Sequence, residues 1–415
     1  MKLLIKNIKQ LVGIEYQHEL KRYKKGIEMK QLICLEDAYL AIEDGIIVDF
    51  GKMDEWPGIS DWGGLEIIDA EGKFVLPGFV DSHTHLIYAG SREKEFEDRI
   101  NGLTYQQIFE RGGGILNSAK KLAEATEEEL FNAAFKRLSE LISYGTVAIE
   151  IKSGYGLSLD SELKMLRVIK KIKDVSPIPV KATFLGAHAV PAGMDKQQYI
   201  KLVIEEMIPA VAKDNLAEFI DVFCEQGYFT QEETEEILNA GKQYGLIPKV
   251  HANQLSVNGG VQAGVKTGAI SVDHLEFVGE NEIACLLKSN TMPTLLPGAA
   301  FFLSLPDPPA RKMIDSGLPV SLASDYNPGS SPIGNMHFMI SYACIRLKMT
   351  PEESINAATL NAAYAMGIEN ELGSIAIGKQ GSIIITKEMP SLTYFPYSFG
   401  ANLIDSLIIK GKIVS

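Results

Sequence analysis

Cysteine is scarce in this chain: Cys34, Cys224, Cys285 and Cys344 are the only four in 415 residues, with no Cys-x-x-Cys pair. Such scatter fits free thiols in a reducing compartment better than a disulfide framework. Positive charge is not in surplus either. Lys and Arg number 40 against 53 Asp and Glu, a net charge of -13, which argues against a nucleic-acid or anionic-membrane surface. An anionic substrate is not excluded, because one buried Arg can bind it. No apolar run reaches the ~20 residues of a membrane span. The segment Met1-Lys2-Leu3-Leu4-Ile5-Lys6-Asn7 lacks the apolar core and cleavage site of a signal peptide. The expectation is a soluble, cytoplasmic protein with neither nucleic acid nor membrane as partner.

What the chain has is hydrophobic bulk, 46% of its residues, enough for a large core. Up to about residue 72 it reads as short strands broken by turns, at Leu3-Leu4-Ile5, residues 38–42 and residues 46–50, with Glu43-Asp44-Gly45 as a hairpin turn. The basic stretch 21–30 reads as a solvated loop. From Phe74 the rhythm becomes apolar strand, polar turn, amphipathic helix. Strand-like segments fall at residues 74–80, 146–151, 179–185, 219–223, 247–250, 269–272, 292–296 and 319–323. Helical stretches at 127–143, 161–173, 196–212 and 231–244 lie between them. Repeated βα units imply a parallel sheet, and eight in succession point to a closed (β/α)8 TIM-like barrel rather than a doubly wound sheet. After the eighth strand come a helix over 350–366, opened by Thr350-Pro351-Glu352-Glu353, and strands over 375–385 and 403–414. The expected organisation is a barrel over 73–374 and a small β domain built from both chain ends, 1–72 and 375–415.

The chemistry collects at strand ends. Five of the seven histidines lie there: His83 and His85 after the first strand, His188 after the third, His251 after the fifth and His274 after the sixth. In a parallel barrel these ends share one rim, where active sites of this architecture sit. Alternate residues of a strand face the same side, so His83 and His85 can aim both rings at one point. A lone His at such a place is usually structural; five on one rim point to metal ligation. Asp325 follows the eighth strand and, opposite three imidazoles, completes a three-His, one-carboxylate site suited to Zn²⁺ or Fe²⁺. A divalent ion there lowers the pKa of a bound water towards ~7, and Asp325 can take that water's proton and pass it to a leaving nitrogen.

The run Leu76-Pro77-Gly78-Phe79-Val80-Asp81-Ser82-His83-Thr84-His85, with His251, His274 and Asp325 after later strands, resembles the amidohydrolase superfamily. A closer resemblance, to a branch of it that works in histidine breakdown, covers almost the whole chain. It is carried by Tyr88-Ala89-Gly90-Ser91-Arg92, Arg111-Gly112-Gly113-Gly114-Ile115, Lys152-Ser153-Gly154-Tyr155-Gly156, Phe184-Leu185-Gly186-Ala187-His188, His251-Ala252-Asn253-Gln254 and Ser324-Asp325-Tyr326-Asn327-Pro328-Gly329-Ser330. The resemblance implies hydrolysis of the cyclic amide 4-imidazolone-5-propanoate to N-formimidoyl-L-glutamate. It implies one divalent or trivalent metal ion per subunit, zinc or iron, held by His83, His85, His251 and Asp325. Substrate contacts would be Arg92, Tyr155, His188, Gln254, Asn327, Gly329 and Ser330, and the catalytic residues His274, Asp325 and Gln254.

Physical chemistry agrees with several of these roles. The Arg92 guanidinium is a planar, permanently charged fork suited to a propionate. Gln254 donates and accepts at once, so it can read a ring nitrogen and a carbonyl together. Whether Gln254 or His274 moves a proton stays open, as does Glu225 after the fourth strand: ligand of a second metal, or hydrogen-bonding partner at the rim. The partner implied is a small-molecule substrate, and the expected assembly is a homodimer. Two rivals remain: another amidohydrolase acting on a heterocycle, a deaminase or hydantoinase-like enzyme, and a non-catalytic barrel that binds or assembles.

Overall fold

The structure, a computed structural model, describes residues 2–58, 63–103, 107–108 and 111–414. The chain begins with β1 (Lys2–Val12), β2 (Cys34–Glu43), β3 (Ile46–Lys52) and β4 (Leu65–Asp69). β2 and β3 form the expected hairpin, with Asp44 at φ 48° and Gly45 at φ 84°, the positive dihedrals of a tight turn that Asp-Gly supplies. β5 (Phe74–Pro77) follows, then the barrel strands β6 (Phe79–Asp81), β7 (Thr146–Lys152), β8 (Val180–Ala187), β9 (Phe219–Cys224), β10 (Ile247–Ala252), β11 (Ser271–His274), β12 (Met292–Leu295) and β13 (Ser321–Leu322). The chain returns through β14 (Ile383–Thr386), β15 (Ile404–Ile409) and β16 (Lys412–Ile413).

These strands make two eight-stranded sheets. One has the order β16-β15-β14-β5-β1-β2-β3, with β4 also paired to β1, so both chain ends share it. Its own core gathers Ile5, Leu40, Val75, Ile385 and Ile408. The other runs β6 through β13 in sequence order, every neighbour parallel. Helices between successive strands cover its outside, as parallel sheets require. No helix among the described residues is long and apolar enough to cross a membrane.

Capping boxes start the helices Glu127–Ser143, Gln231–Gln243 and Pro351–Ala358 at Thr126, Thr230 and Thr350, each answered by a Glu three residues on. The last of these stops at Ala358. Thr359, at φ −125° and ψ −90°, separates it from Leu360–Ala365, where the sequence suggests one unbroken helix.

Three other expectations change. The apolar run 74–80 is not one strand but two, because the chain passes from the small sheet to the barrel at Gly78. A Cβ there would lie 2.2 Å from Val147 Cγ1, so only glycine admits the crossing. Residues 375–382 are not strand; the ladder begins at Ile383. Within the basic stretch 21–30, Lys24 is buried, donating to Gln31 O at 2.7 Å and Asn356 Oδ1 at 3.2 Å.

Candidate active site

The barrel closes just beyond the ends of its first and last strands. Asp325 N donates to His83 O (3.0 Å) and His85 N to Tyr326 O (2.9 Å). The buried Asp81 carboxylate braces this seam by accepting from Ser324 N (3.0 Å) and Ser324 Oγ (2.5 Å). Asp325 itself sits at φ 55°, a left-handed conformation that costs a non-glycine residue about 1–3 kcal/mol.

This closure gathers a donor cluster. Nε2 of His85 lies 3.3 Å from Nε2 of His83 and 3.4 Å from Nε2 of His251. Oδ1 of Asp325 lies 3.5 Å from His83 Nε2 and 3.4 Å from His85 Nε2. A tetrahedron with metal–nitrogen arms of ~2.0–2.1 Å has edges of ~3.3–3.4 Å, and these four separations match such edges. The four side chains are buried, and such a cluster of lone pairs has no favourable internal pairing without a proton or a cation between them. The donor set fits a divalent metal.

The protonation states agree. Burial, with the nearby Lys152 charge, holds His83 well below the ordinary imidazole range. Burial takes His251 down to about 4, against the pull of Asp221. Burial pushes the Asp325 carboxyl up, but the hydrogen bond to His85 and the charge of His274 outweigh it and leave it below its ordinary value. The Nδ1 side of His83 faces Asp273 Oδ2 at 2.6 Å, and that of His251 faces Asp221 Oδ2 at 2.9 Å. A carboxylate at Nδ1 fixes the tautomer that turns the Nε2 lone pair outward to a metal.

His274 and His188 flank the cluster. His274 has φ 86° and its Nδ1 lies 3.7 Å from the buried Glu276 Oε1. Burial lowers its affinity for a proton, but Glu276 and Asp325 more than offset that and raise it. His188 stacks on His85 at 5.5 Å between centroids, and its Nδ1 donates to Gly154 O at 2.9 Å. Tyr155 packs at 5.9 Å from His85 and 5.4 Å from His188. Its loop is held by Glu162, which accepts from the amides of Gly154 (3.1 Å), Gly156 (2.7 Å) and Leu157 (3.0 Å).

A small cavity of about 50 Å³ opens above the donors. His85, His251, His274 and Asp325 line it, together with Arg92, Tyr155, His188, Gln254, Asn327, Gly329 and Ser330. Of the twelve residues assigned to metal, substrate or catalysis from sequence, only His83 is not on its wall; it sits behind, in the donor cluster. Arg92 is positioned by Glu95, whose Oε2 takes Nε at 2.8 Å and Nη2 at 2.6 Å. Glu95 also accepts from the Gly114 amide (3.1 Å) and Asn117 (2.9 Å), which ties the glycine run to the arginine. Asn327 Oδ1 accepts from the amides of Gly329 and Ser330, both at 2.8 Å.

Glu225 is occupied elsewhere. It accepts from Gln226 N (2.8 Å), Leu255 N (2.9 Å) and the Ser256 hydroxyl, so both of its oxygens hold the loop after His251. Sequence reasoning passed over Lys152, Asp221, Asp273 and Glu95. The signal was there for the first three: charged residues set inside apolar strands must point at something.

A profile of the amidohydrolase family matches residues 74–414. The chain belongs to that family. It is 53% identical to the imidazolonepropionase of Christiangramia forsetii over 416 aligned residues, covering 100% of both chains. To the imidazolonepropionase of Flavobacterium johnsoniae it is 52% identical, covering 99% of each. Among solved structures, E. coli guanine deaminase superposes with a TM-score of 0.74 at 14% identity, over 100% of this chain and 99% of that one, which is a likeness of fold. Within the family the chain belongs to the imidazolonepropionases.

Proposed function

We propose that this enzyme hydrolyses 4-imidazolone-5-propanoate to N-formimidoyl-L-glutamate, a step of histidine degradation. The observation that carries the reading is one cavity with two poles: a cation-binding donor cluster, and a guanidinium fork for the propionate. Full-length similarity to imidazolonepropionases supports it. His83, His85, His251 and Asp325 would hold one ion per subunit, and the nitrogen–oxygen donor set suits zinc or iron. When bound, the ion supplies Lewis acidity at the ring carbonyl and acidifies water at neutral pH.

The chain's own residues do the rest. Arg92, on the wall it shares with Asn327, Gly329 and Ser330, takes the carboxylate tail. Tyr155, His188 and Gln254 position the flat ring. Asp325 accepts the proton of the attacking water, and His274 donates an N–H to the oxygen on which charge develops. Asp325 then returns the proton to the ring nitrogen as its bond to the carbonyl carbon breaks, leaving a carboxylate and a formimidoyl amine. A homodimer in the cytoplasm completes the reading, on the general tendency of enzymes this size to pair.

Purified protein carrying stoichiometric metal is incubated with 4-imidazolone-5-propanoate, guanine and a hydantoin. Conversion of the first alone to N-formimidoyl-L-glutamate is the expected result. Turnover of guanine or the hydantoin instead would reassign the site to a deaminase or a hydantoinase.

A further inference from the structure

Beneath the donor cluster lies a layer of charge that the proposed chemistry does not use. Glu150 and Lys152 from β7, Asp221 from β9, Lys249 from β10 and Asp273 from β11 are fully buried inside the barrel. Charges at such depth persist only when paired. Lys249 pairs with Glu150 and donates to the carbonyls of Ser82 (3.0 Å) and Ala365 (3.2 Å). Lys152 does something different. Its Nζ lies 2.5 Å from Glu150 Oε1, 2.8 Å from Asp221 Oδ2 and 3.8 Å from Asp273 Oδ2.

Those two aspartate oxygens are the same atoms that face the imidazoles, Asp221 Oδ2 at His251 Nδ1 and Asp273 Oδ2 at His83 Nδ1. One ammonium therefore lies behind two carboxylate–imidazole pairs. Asp221 adds a second hold, accepting His251 N on Oδ1 at 3.0 Å. We propose that Lys152 is a positioning residue of the metal centre, whose ammonium holds Asp221 and Asp273 in place at the Nδ1 sides of His251 and His83. The inference rests on the ligand assignment proposed above. Its physical content is that a neutral imidazole offers one donor and one acceptor nitrogen. A fixed carboxylate makes Nδ1 the donor and leaves Nε2 to the ion. Without the ammonium, Asp221 loses its ion-pair partner and Asp273 loses one of two nearby ammoniums, the other being Lys249, so both carboxylates are held less firmly at the rings. Loss of such an outer partner typically weakens metal affinity 10–100-fold.

The rival role is plain structure, an ion pair that only holds β7, β9 and β11 together. Lys152→Met and Lys152→Gln separate the two when zinc affinity is measured by competition with a chromophoric chelator. Melting of the metal-free and zinc-loaded forms, and the visible spectrum of the cobalt-substituted protein, are read alongside. The expected result is a zinc Kd raised about 10–100-fold, a smaller rise in Tm on adding zinc, and an altered cobalt spectrum. Adding Asp221→Asn to Lys152→Met is expected to cost little more affinity, because both act on one link. A lower metal-free Tm with zinc Kd within about twofold of wild type overturns the proposal. So does failure of both variants to fold at saturating zinc. Failure of the wild type to bind zinc or iron overturns the ligand assignment itself, and this inference with it.

Discussion

The Arg92 guanidinium occupies the space that Gly329 leaves by having no side chain: a Cβ at residue 329 would lie 2.0 Å from Arg92 Nη1. The glycine is needed for room, not for its dihedral freedom. Gly329→Ala is therefore expected to displace the fork while leaving the donor cluster untouched. A charge-assisted hydrogen bond contributes about 1.5–3 kcal/mol. KM for a carboxylated substrate should rise roughly 10–100-fold, with kcat changed far less, and Arg92→Ala should match or exceed it. Steady-state kinetics of both variants check this; an unchanged KM in Arg92→Ala removes the propionate clamp.

Glu95 gives a pH-dependent prediction. Burial pushes its carboxyl up, but Arg92, Asn117 and the Gly114 amide more than offset this and hold it below its ordinary value. A carboxyl lowered on folding contributes stability above its unfolded pKa, about 4.3. That contribution is lost as pH falls through the folded value. Metal-free wild type is expected to melt above Glu95→Gln at pH 6, with the gap closing at lower pH. Melting curves between about pH 3 and 6 measure it, and a gap that widens on acidification contradicts the sign.

Asp325→Asn keeps the shape of the proton carrier and removes its basicity. Positioned acid–base groups contribute about 10²–10⁴-fold, so kcat is expected to fall by at least that lower figure. The product ratio of metal bound to protein should be assayed in the same sample, since the residue also belongs to the donor cluster. Activity that tracks metal content alone, with no further loss per loaded site, would exclude the proton-transfer role.

Chelation should abolish turnover and lower Tm, and zinc or iron should restore both. Ligand stabilisation follows the ratio of free metal to Kd, reaching about 2.7 kcal/mol at a hundredfold excess. His85→Ala should lose most of the metal-dependent rise in Tm. Elemental analysis together with melting with and without chelator tests the point.

Gly78→Ala probes the fold rather than the chemistry. The added methyl meets Val147 at 2.2 Å, inside a crossing between sheets that has no slack. Overpacking of this kind costs about 1–3 kcal/mol. The expected outcome is a lower Tm and denaturation midpoint with kcat per loaded site unchanged.

Much of this arrangement was legible in the sequence, for a reason specific to parallel barrels. Each buried strand is a short apolar run, and whatever polar residue follows it emerges on the common rim. The eight runs and the residues His83, His85, His188, His251, His274 and Asp325 could thus be placed together without a distance being known. The partners behind them were not legible. Asp221 lies inside Phe219–Cys224 and Lys152 at the end of Thr146–Lys152, and nothing local says which charge answers which across 69 residues of chain. The same holds for Glu95, whose partners depend on how a helix and the glycine run fold over Arg92. The split at Gly78 was hidden because an apolar run does not announce that it changes sheets.

The seam through His83, His85, Asp325 and Tyr326 also sets an order of events during synthesis. His83 and Asp325 are 242 positions apart, so half of the donor cluster waits, already translated, for residues that leave the ribosome much later. The small sheet waits longer still, because β5 pairs with β14. Such distant pairings make folding slow and leave strand edges unsatisfied in the meantime. They also mean that no chain ending before Asp325 can assemble the centre. A partly synthesised enzyme is expected to be inert toward cellular amides, and hydrolytic competence arrives only with closure of the barrel.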